Sequence, residues 1–149
     1  MDKQIKSSFI FENYIVNKID FKLNSNFKYS PVDLDFSVNI NVTLAESLLK
    51  GKVTLDVNIF DEALKENYPF ALFVSITGSF SVPDDSMTRE QFSRFCELNG
   101  TAALFPFLRT IIADITKAAN LPPLMLPLIN VQNLVENQKE ENKSLIRSD

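Results

Sequence analysis

The chain contains no histidine among its 149 residues. That absence excludes Ser-His-Asp and Cys-His catalysis, histidine-ligated metals and histidine switches. Glycine is scarce: the three are Gly51, Gly78 and Gly100. No GxGxxG or Walker-type spacing can be built from them, which excludes a phosphate-cradling loop. A single cysteine, Cys96, permits no internal disulfide and suits a reducing cytoplasm. Without a CxxC partner or a histidine it reads as a small core residue. No apolar run approaches the ~18 residues of a membrane span. The opening MDKQIKSSFIFENY also lacks the features of a signal peptide. Net charge is −4, which argues against nucleic acid or an anionic membrane surface as partner and leaves room for basic partners.

Apolar side chains are plentiful. Hydrophobic residues make up 45% of the chain, with 13 phenylalanines and no tryptophan. That is enough for one domain with a real core. Their spacing identifies strands first. From Val32 to Leu44 the odd and even positions separate. Val32, Leu34, Phe36, Val38, Ile40, Val42 and Leu44 fall on one face, and Asp33, Asp35, Ser37, Asn39, Asn41 and Thr43 on the other. Lys52–Phe60 repeats the pattern, with Lys50-Gly51 as the turn signal between them. Phe70–Val82 is a third alternating run, and Tyr14–Leu23 a first, with Ile15, Ile19, Phe21 and Leu23 in phase. Short connections between them predict an antiparallel meander.

The period then changes. Asp84–Asn99 predicts a short helix capped by Ser86 or Thr88, which Pro106 separates from the main helix at Ala103–Ala119; proline is tolerated in that first turn, and Asn120 ends the helix. Leu104, Phe105, Phe107, Leu108, Ile111, Ile112, Ile115, Ala118 and Ala119 fill an arc of roughly 160°, wider than the ~100° that one core contact uses. The surplus points to a second apolar contact, most simply another subunit, with Phe105, Leu108 and Ile112 as interface residues. Val131–Lys139 predicts a last short helix. Glu140–Asp149 is polar and without period, a mobile charged tail following a single domain over 1–139.

Between the helices lies LPPLMLPLIN, an irregular segment rich in leucine where loops are ordinarily polar. Pro122, Pro123 and Pro127 forbid a regular helix and pre-stiffen it. It either packs over the core or forms one wall of an apolar groove. In the second case Leu121, Leu124, Met125 and Leu126 are binding residues, and Met and Leu are well suited to repacking around varied partners. Phe73, on the polar side of its strand, is either a lone exposed aromatic or a further binding contact. Asp33 and Asp35 share a strand face and can bind a hard cation, but no other oxygen ligands cluster nearby, so a solvated face is the simpler reading. Asp84-Asp85 reads as charge compensation at a helix start, and Arg109 as one half of an ion pair. No catalytic residue, metal or cofactor is assigned, and no nucleophile–base pair exists to make an enzyme.

Leu104-Phe105-Pro106-Phe107 with Arg109, then Leu121-Pro122-Pro123-Leu124-Met125-Leu126 and Pro127-Leu128-Ile129-Asn130, resemble the SecB family of export chaperones. Its members carry F-P-[aromatic]-x-R in a long helix and F-P-x-x-x-L-x-P-x-N-F in the following loop. The resemblance implies an α+β domain: a four-stranded antiparallel sheet with a long helix and a short C-terminal helix on one face. It also implies a homotetramer built as a dimer of dimers around the main helices. The implied activity is ATP-independent holding of unfolded or slowly folding polypeptides, which are passed to the SecA motor. One position departs from the pattern. Where typical members carry an acidic residue linked to SecA docking, just before the Ile-x-Phe of the first strand, this chain has Lys18. A chaperone dedicated to one client such as an antitoxin therefore fits the sequence equally, and a structural or assembly subunit with one fixed partner is the rival from another class.

Overall fold

Alternating apolar positions become one antiparallel sheet. The computed structural model describes residues 8–147, with β1 at Ile10–Leu23, β2 at Phe36–Leu44, β3 at Lys50–Ile59 and β4 at Phe70–Ser81. A one-turn helix α1, Ala63–Glu66, joins β3 to β4. Three helices follow: α2 at Arg89–Phe95, α3 at Thr101–Ala118 and α4 at Val131–Arg147. The α+β class and the four antiparallel strands match the expectation. Their order does not, because it runs β1-β4-β3-β2. Only β2-β3-β4 is a meander. β1 crosses over to pair with β4, leaving β2 as the opposite edge.

The β1–β4 ladder shifts register between Phe11 and Asn13 and again between Val16 and Lys18, so Glu12 and Asn17 are bulged residues. Asn17 uses its extra reach to donate to Ser75 Oγ at 3.2 Å and Thr77 Oγ1 at 2.8 Å. These bulges break the period of two, which is why Ile15 falls on the opposite face from Ile19 although both are odd-numbered.

Val53, Leu55 and Val57 of β3 and Val74 and Ile76 of β4 are fully buried, as are Leu104, Leu108 and Ile112 of α3. Each such side chain contributes ~1.5–3 kcal/mol by leaving water. Close approach depends on two glycines. A Cβ on Gly78 would lie 2.7 Å from Leu104 Cδ2, and one on Gly100 2.7 Å from Val53 Cγ2. Gly51, read from sequence as a turn residue, lies instead within β3, opposite Leu44.

Thr88 caps α2 with a full capping box: its hydroxyl accepts from Gln91 N–H at 3.1 Å, and Gln91 Oε1 accepts from Thr88 N–H at 2.9 Å. Asp84 and Asp85 sit in the turn ahead of this cap, not in the first helical turn. Proline does not separate α2 from α3. A π-helical turn, Cys96–Gly100, joins them, and Pro106 lies inside α3. The C-terminal helix continues to Arg147, so Glu140–Arg147 is helical where a mobile tail was expected. Ser148 and Asp149 lie outside the described residues.

Candidate functional site

Helix α3 ends in a Schellman motif. Asn120 takes a left-handed φ of 63°, its N–H reaches Lys117 O, and Leu121 N–H reaches Thr116 O, each at 3.0 Å. This reverses the chain and lays the proline-rich segment back along the helix. Two side chains of α3 then hold it. The buried Thr116 hydroxyl accepts from Leu124 N–H at 2.9 Å while donating to Ile112 O at 3.0 Å. Arg109 Nε donates to Leu126 O at 2.8 Å, so the expected ion pair at Arg109 is a hydrogen bond to main chain instead. Proline cannot donate, and these two anchors fall on the non-proline residues between Pro123 and Pro127.

Anchoring sorts the loop's side chains. Leu126 is fully buried and seals the core. Leu121 and Leu124 are half-buried against it. Met125 is 61% exposed and Leu128 84% exposed. One side of the segment is thus a lid over the core, and the other is an open apolar surface. Leu126, expected among the binding residues, has no surface to offer in this packing. Leu128 was not singled out, because an irregular loop has no period from which to tell an inward leucine from an outward one.

The expected oligomer-interface residues are consumed in the same way. Phe105, Leu108 and Ile112 are at most 5% exposed within the single chain. The sheet takes that side of α3. The free flank is Phe107, 40% exposed, with the half-buried Ile111 and Ile115 beside it. Phe107 packs against Tyr14 at a ring-centroid distance of 4.7 Å. Beyond Tyr14, on the same side of β1, Val16, Ile19 and Leu23 are 44%, 48% and 56% exposed. Their cross-strand partners Ile76, Val74 and Phe70 are core residues. The helices thus leave a band of the sheet's apolar face uncovered along β1.

Phe73 is not brought to the loop. It points to the outer face of the sheet, opposite the helices, with the Lys18 ammonium 5.7 Å from its ring centroid. Asp20 is its cross-strand partner, and no bulge separates Lys18 from Asp20, so both share that outer face. Asp35 precedes β2. Its main-chain carbonyl accepts from Phe60 N–H at 2.9 Å and its carboxylate from the Tyr68 hydroxyl at 3.4 Å. Burial, then the neighbouring Asp35 charge, raises the Tyr68 pKa above its ordinary value. Among the described residues there is no His/Cys/Asp/Glu group able to hold a metal, and no helix is long and apolar enough to cross a membrane. Cys96 is fully buried and burial pushes its thiol up to about 11, as suits a core residue.

Sequence reasoning missed a cleft of about 390 Å³ between β2 and α4. Phe36, Val38, Ile129 and Leu134 give it an apolar floor, and Asn133, Gln138 and other polar residues of α4 a rim. It begins where the loop ends, since Ile129 follows the exposed Leu128. Its signal in the sequence was the apolar parity of β2, but nothing there shows that α4 stands beside that edge.

Comparison with known proteins places this geometry. Residues 6–142 match the family described as Preprotein translocase subunit SecB. An uncharacterised protein of Methanocaldococcus jannaschii is 33% identical over 95% of this chain and 94% of its own. The protein-export protein SecB of Anaplasma phagocytophilum is 31% identical over 89% of this chain and 87% of its own. Among solved structures, a SecB-like chaperone of Mycobacterium tuberculosis, in complex with a ChAD peptide from an antitoxin, superposes with a TM-score of 0.67. It is 17% identical, with 82% of this chain and 91% of that one covered.

Proposed function

This chain belongs to the SecB family, and we propose that it is an ATP-independent chaperone that holds unfolded or slowly folding polypeptides on an apolar surface. The observation that carries this reading is the proline-stiffened loop, anchored at Thr116 and Arg109, with Met125 and Leu128 held out to solvent. A stiff apolar surface loses little entropy when a flexible chain docks. Each exposed side chain it buries contributes ~1.5–3 kcal/mol at most. Several such contacts, spread along a chain, hold it without sequence specificity. The surface comprises Met125, Leu128 and the exposed parts of Leu121 and Leu124, and it continues through Ile129 into the cleft beside β2. Phe73 forms a separate contact point on the outer face of the sheet.

The uncovered band along β1 and the free flank of α3 support a homo-oligomer, a tetramer by family analogy. Val16, Ile19, Leu23, Phe107 and Ile111 are its interface residues, in place of the buried Phe105, Leu108 and Ile112. Such a protein works in the cytoplasm and needs no cofactor.

A second reading has its own support. Lys18 stands where the family's acidic SecA-docking residue is expected, and its ammonium is engaged with Phe73. Asp20 offers a carboxylate one pleat further along the same face, so export through SecA depends on Asp20 substituting for it. A chaperone dedicated to one client needs no such contact, and the mycobacterial SecB-like chaperone was solved with an antitoxin peptide. Aggregation suppression separates the readings. An export holdase protects several unrelated denatured proteins and binds SecA. A dedicated chaperone protects one client, and a fixed-partner subunit protects none.

A further inference from the structure

The free edge of β2 is occupied by a side chain that imitates a peptide group. Gln138 of α4 accepts from Ile40 N–H at 2.8 Å and donates to Ile40 O at 2.7 Å. The ladder beyond it fixes which groups face outward. Phe60 N–H bonds to Asp35 O, and Ala45 N–H to Lys50 O, so odd-numbered residues face β3. Antiparallel pairing alternates, so the main-chain groups of Val38 and Val42 turn outward on the same edge as those of Ile40. The cleft floored by Phe36, Val38, Ile129 and Leu134 lies beside this edge.

We propose that an extended segment of a client polypeptide adds to β2 as a fifth strand, and that Gln138 is the placeholder it displaces. The inference rests on the client-holding reading and assigns it a docking mode. The occupant is polypeptide because the groups now satisfying Ile40 are one amide N–H and one amide carbonyl, which a docking strand supplies in the same antiparallel geometry. Strand pleat turns alternate side chains of that segment onto the cleft floor, so the favoured clients carry apolar residues at every second position. Main-chain pairing makes no further demand on sequence. Displacement requires the Gln138 side chain to turn away from Ile40 while helix α4 keeps its seat. The helix is seated by the buried Val135 and the half-buried Val131 and Leu134, and the ion pairs Arg94–Glu136 at 3.6 Å and Lys139–Glu97 at 3.3 Å add little to that.

The test compares wild type with Gln138→Ala. The probe is a fluorescent peptide of alternating leucine and threonine flanked by lysines, with a second version N-methylated at every second amide. Removing the placeholder spares the client the loss of two modest hydrogen bonds, so the variant should bind the unmodified peptide about fivefold tighter. The N-methylated peptide should lose that gain. In the unliganded variant the Ile40 amide should exchange with solvent deuterium, and bound peptide should protect it together with Val38 and Val42. Equal or weaker binding by the variant, or a gain that survives N-methylation, overturns the placeholder role while leaving client holding intact. Binding to neither protein overturns both. Circular dichroism checks folding. If Gln138→Ala fails to fold, Gln138→Glu keeps an acceptor for Ile40 N–H but sets a carboxylate against Ile40 O, and the same tightening is expected from it.

Discussion

Arg109 and Leu126, 17 residues apart in the chain, are joined by a hydrogen bond of 2.8 Å from the guanidinium Nε to the main-chain carbonyl. That bond fixes the loop register: Leu126 turns into the core, and its neighbours Met125 and Leu128 turn out. The arginine of the helical motif therefore serves the loop motif, which gives a physical reason for the two to occur together. Replacing Arg109 with Ala should lower stability by about 1.5–3 kcal/mol, the range for a hydrogen bond from a charged donor, and should weaken client binding by loosening the wall. Urea titration and a binding isotherm check the two effects. Unchanged stability would show that Leu126 holds the loop without it.

Thr116→Val provides an independent check on the same loop. It removes the acceptor for Leu124 N–H and leaves a half-buried donor unpaired, so a loss of about 1–3 kcal/mol is expected. Proteolysis between Leu121 and Asn130 should accelerate in parallel. A variant as resistant as wild type would mean that the prolines alone set the conformation.

Leu126→Ala should behave as a core truncation and destabilise by about 2–5 kcal/mol. Met125→Ser with Leu128→Ser should leave the melting temperature nearly unchanged, because both side chains are largely exposed. The opposite ranking would reverse the assignment of the loop's inner and outer sides.

Assembly is tested on β1 and α3. Val16→Asp with Ile19→Asp should split the oligomer while each subunit stays folded, whereas Ile112→Asp should unfold the chain by placing a charge in the core. Sedimentation velocity and circular dichroism distinguish the outcomes. A wild-type protein that sediments as a monomer at micromolar concentration contradicts the proposed interface.

Cys96 should resist thiol reagents at neutral pH in the native protein and react fully once denatured. Burial raises its folded-state pKa from 9.0 to about 11. The folded state therefore favours the protonated thiol, and the associated stability is present below pH 9 and lost as pH rises toward 11. Cys96→Ala should flatten that part of the pH–stability curve, as urea titrations at pH 8 and 10.5 would show. An equally steep decline in the variant would assign the loss to other groups.

Much of this fold is legible in the sequence because it is written in periods. The parity of Phe36–Leu44 and Phe70–Ser81 survives intact in the sheet, Thr88 caps α2, and Asn120 ends α3. Strand order was not legible, since alternation says which face is dry and not which strand is neighbour. The bulges at Glu12 and Asn17 also blurred β1. The π-turn at Cys96–Gly100 let two helices run into one another where Pro106 suggested a break. The apolar arc of α3 is wider than one contact uses, and only the structure shows that Leu108 and Ile112 serve the sheet while Phe107 lies on the open side. The loop was recognised from composition, and its inward and outward residues depended on the Arg109 and Thr116 anchors, which are tertiary.

The outward side of this loop is proposed to hold unfolded chains. The most direct measurement is the affinity of wild type and of Met125→Ser/Leu128→Ser for a reduced, permanently unfolded protein. At least a tenfold loss of affinity, about 1.4 kcal/mol, is expected, with the fold and oligomer intact. A double variant that is folded, assembled and binds as tightly as wild type would contradict it.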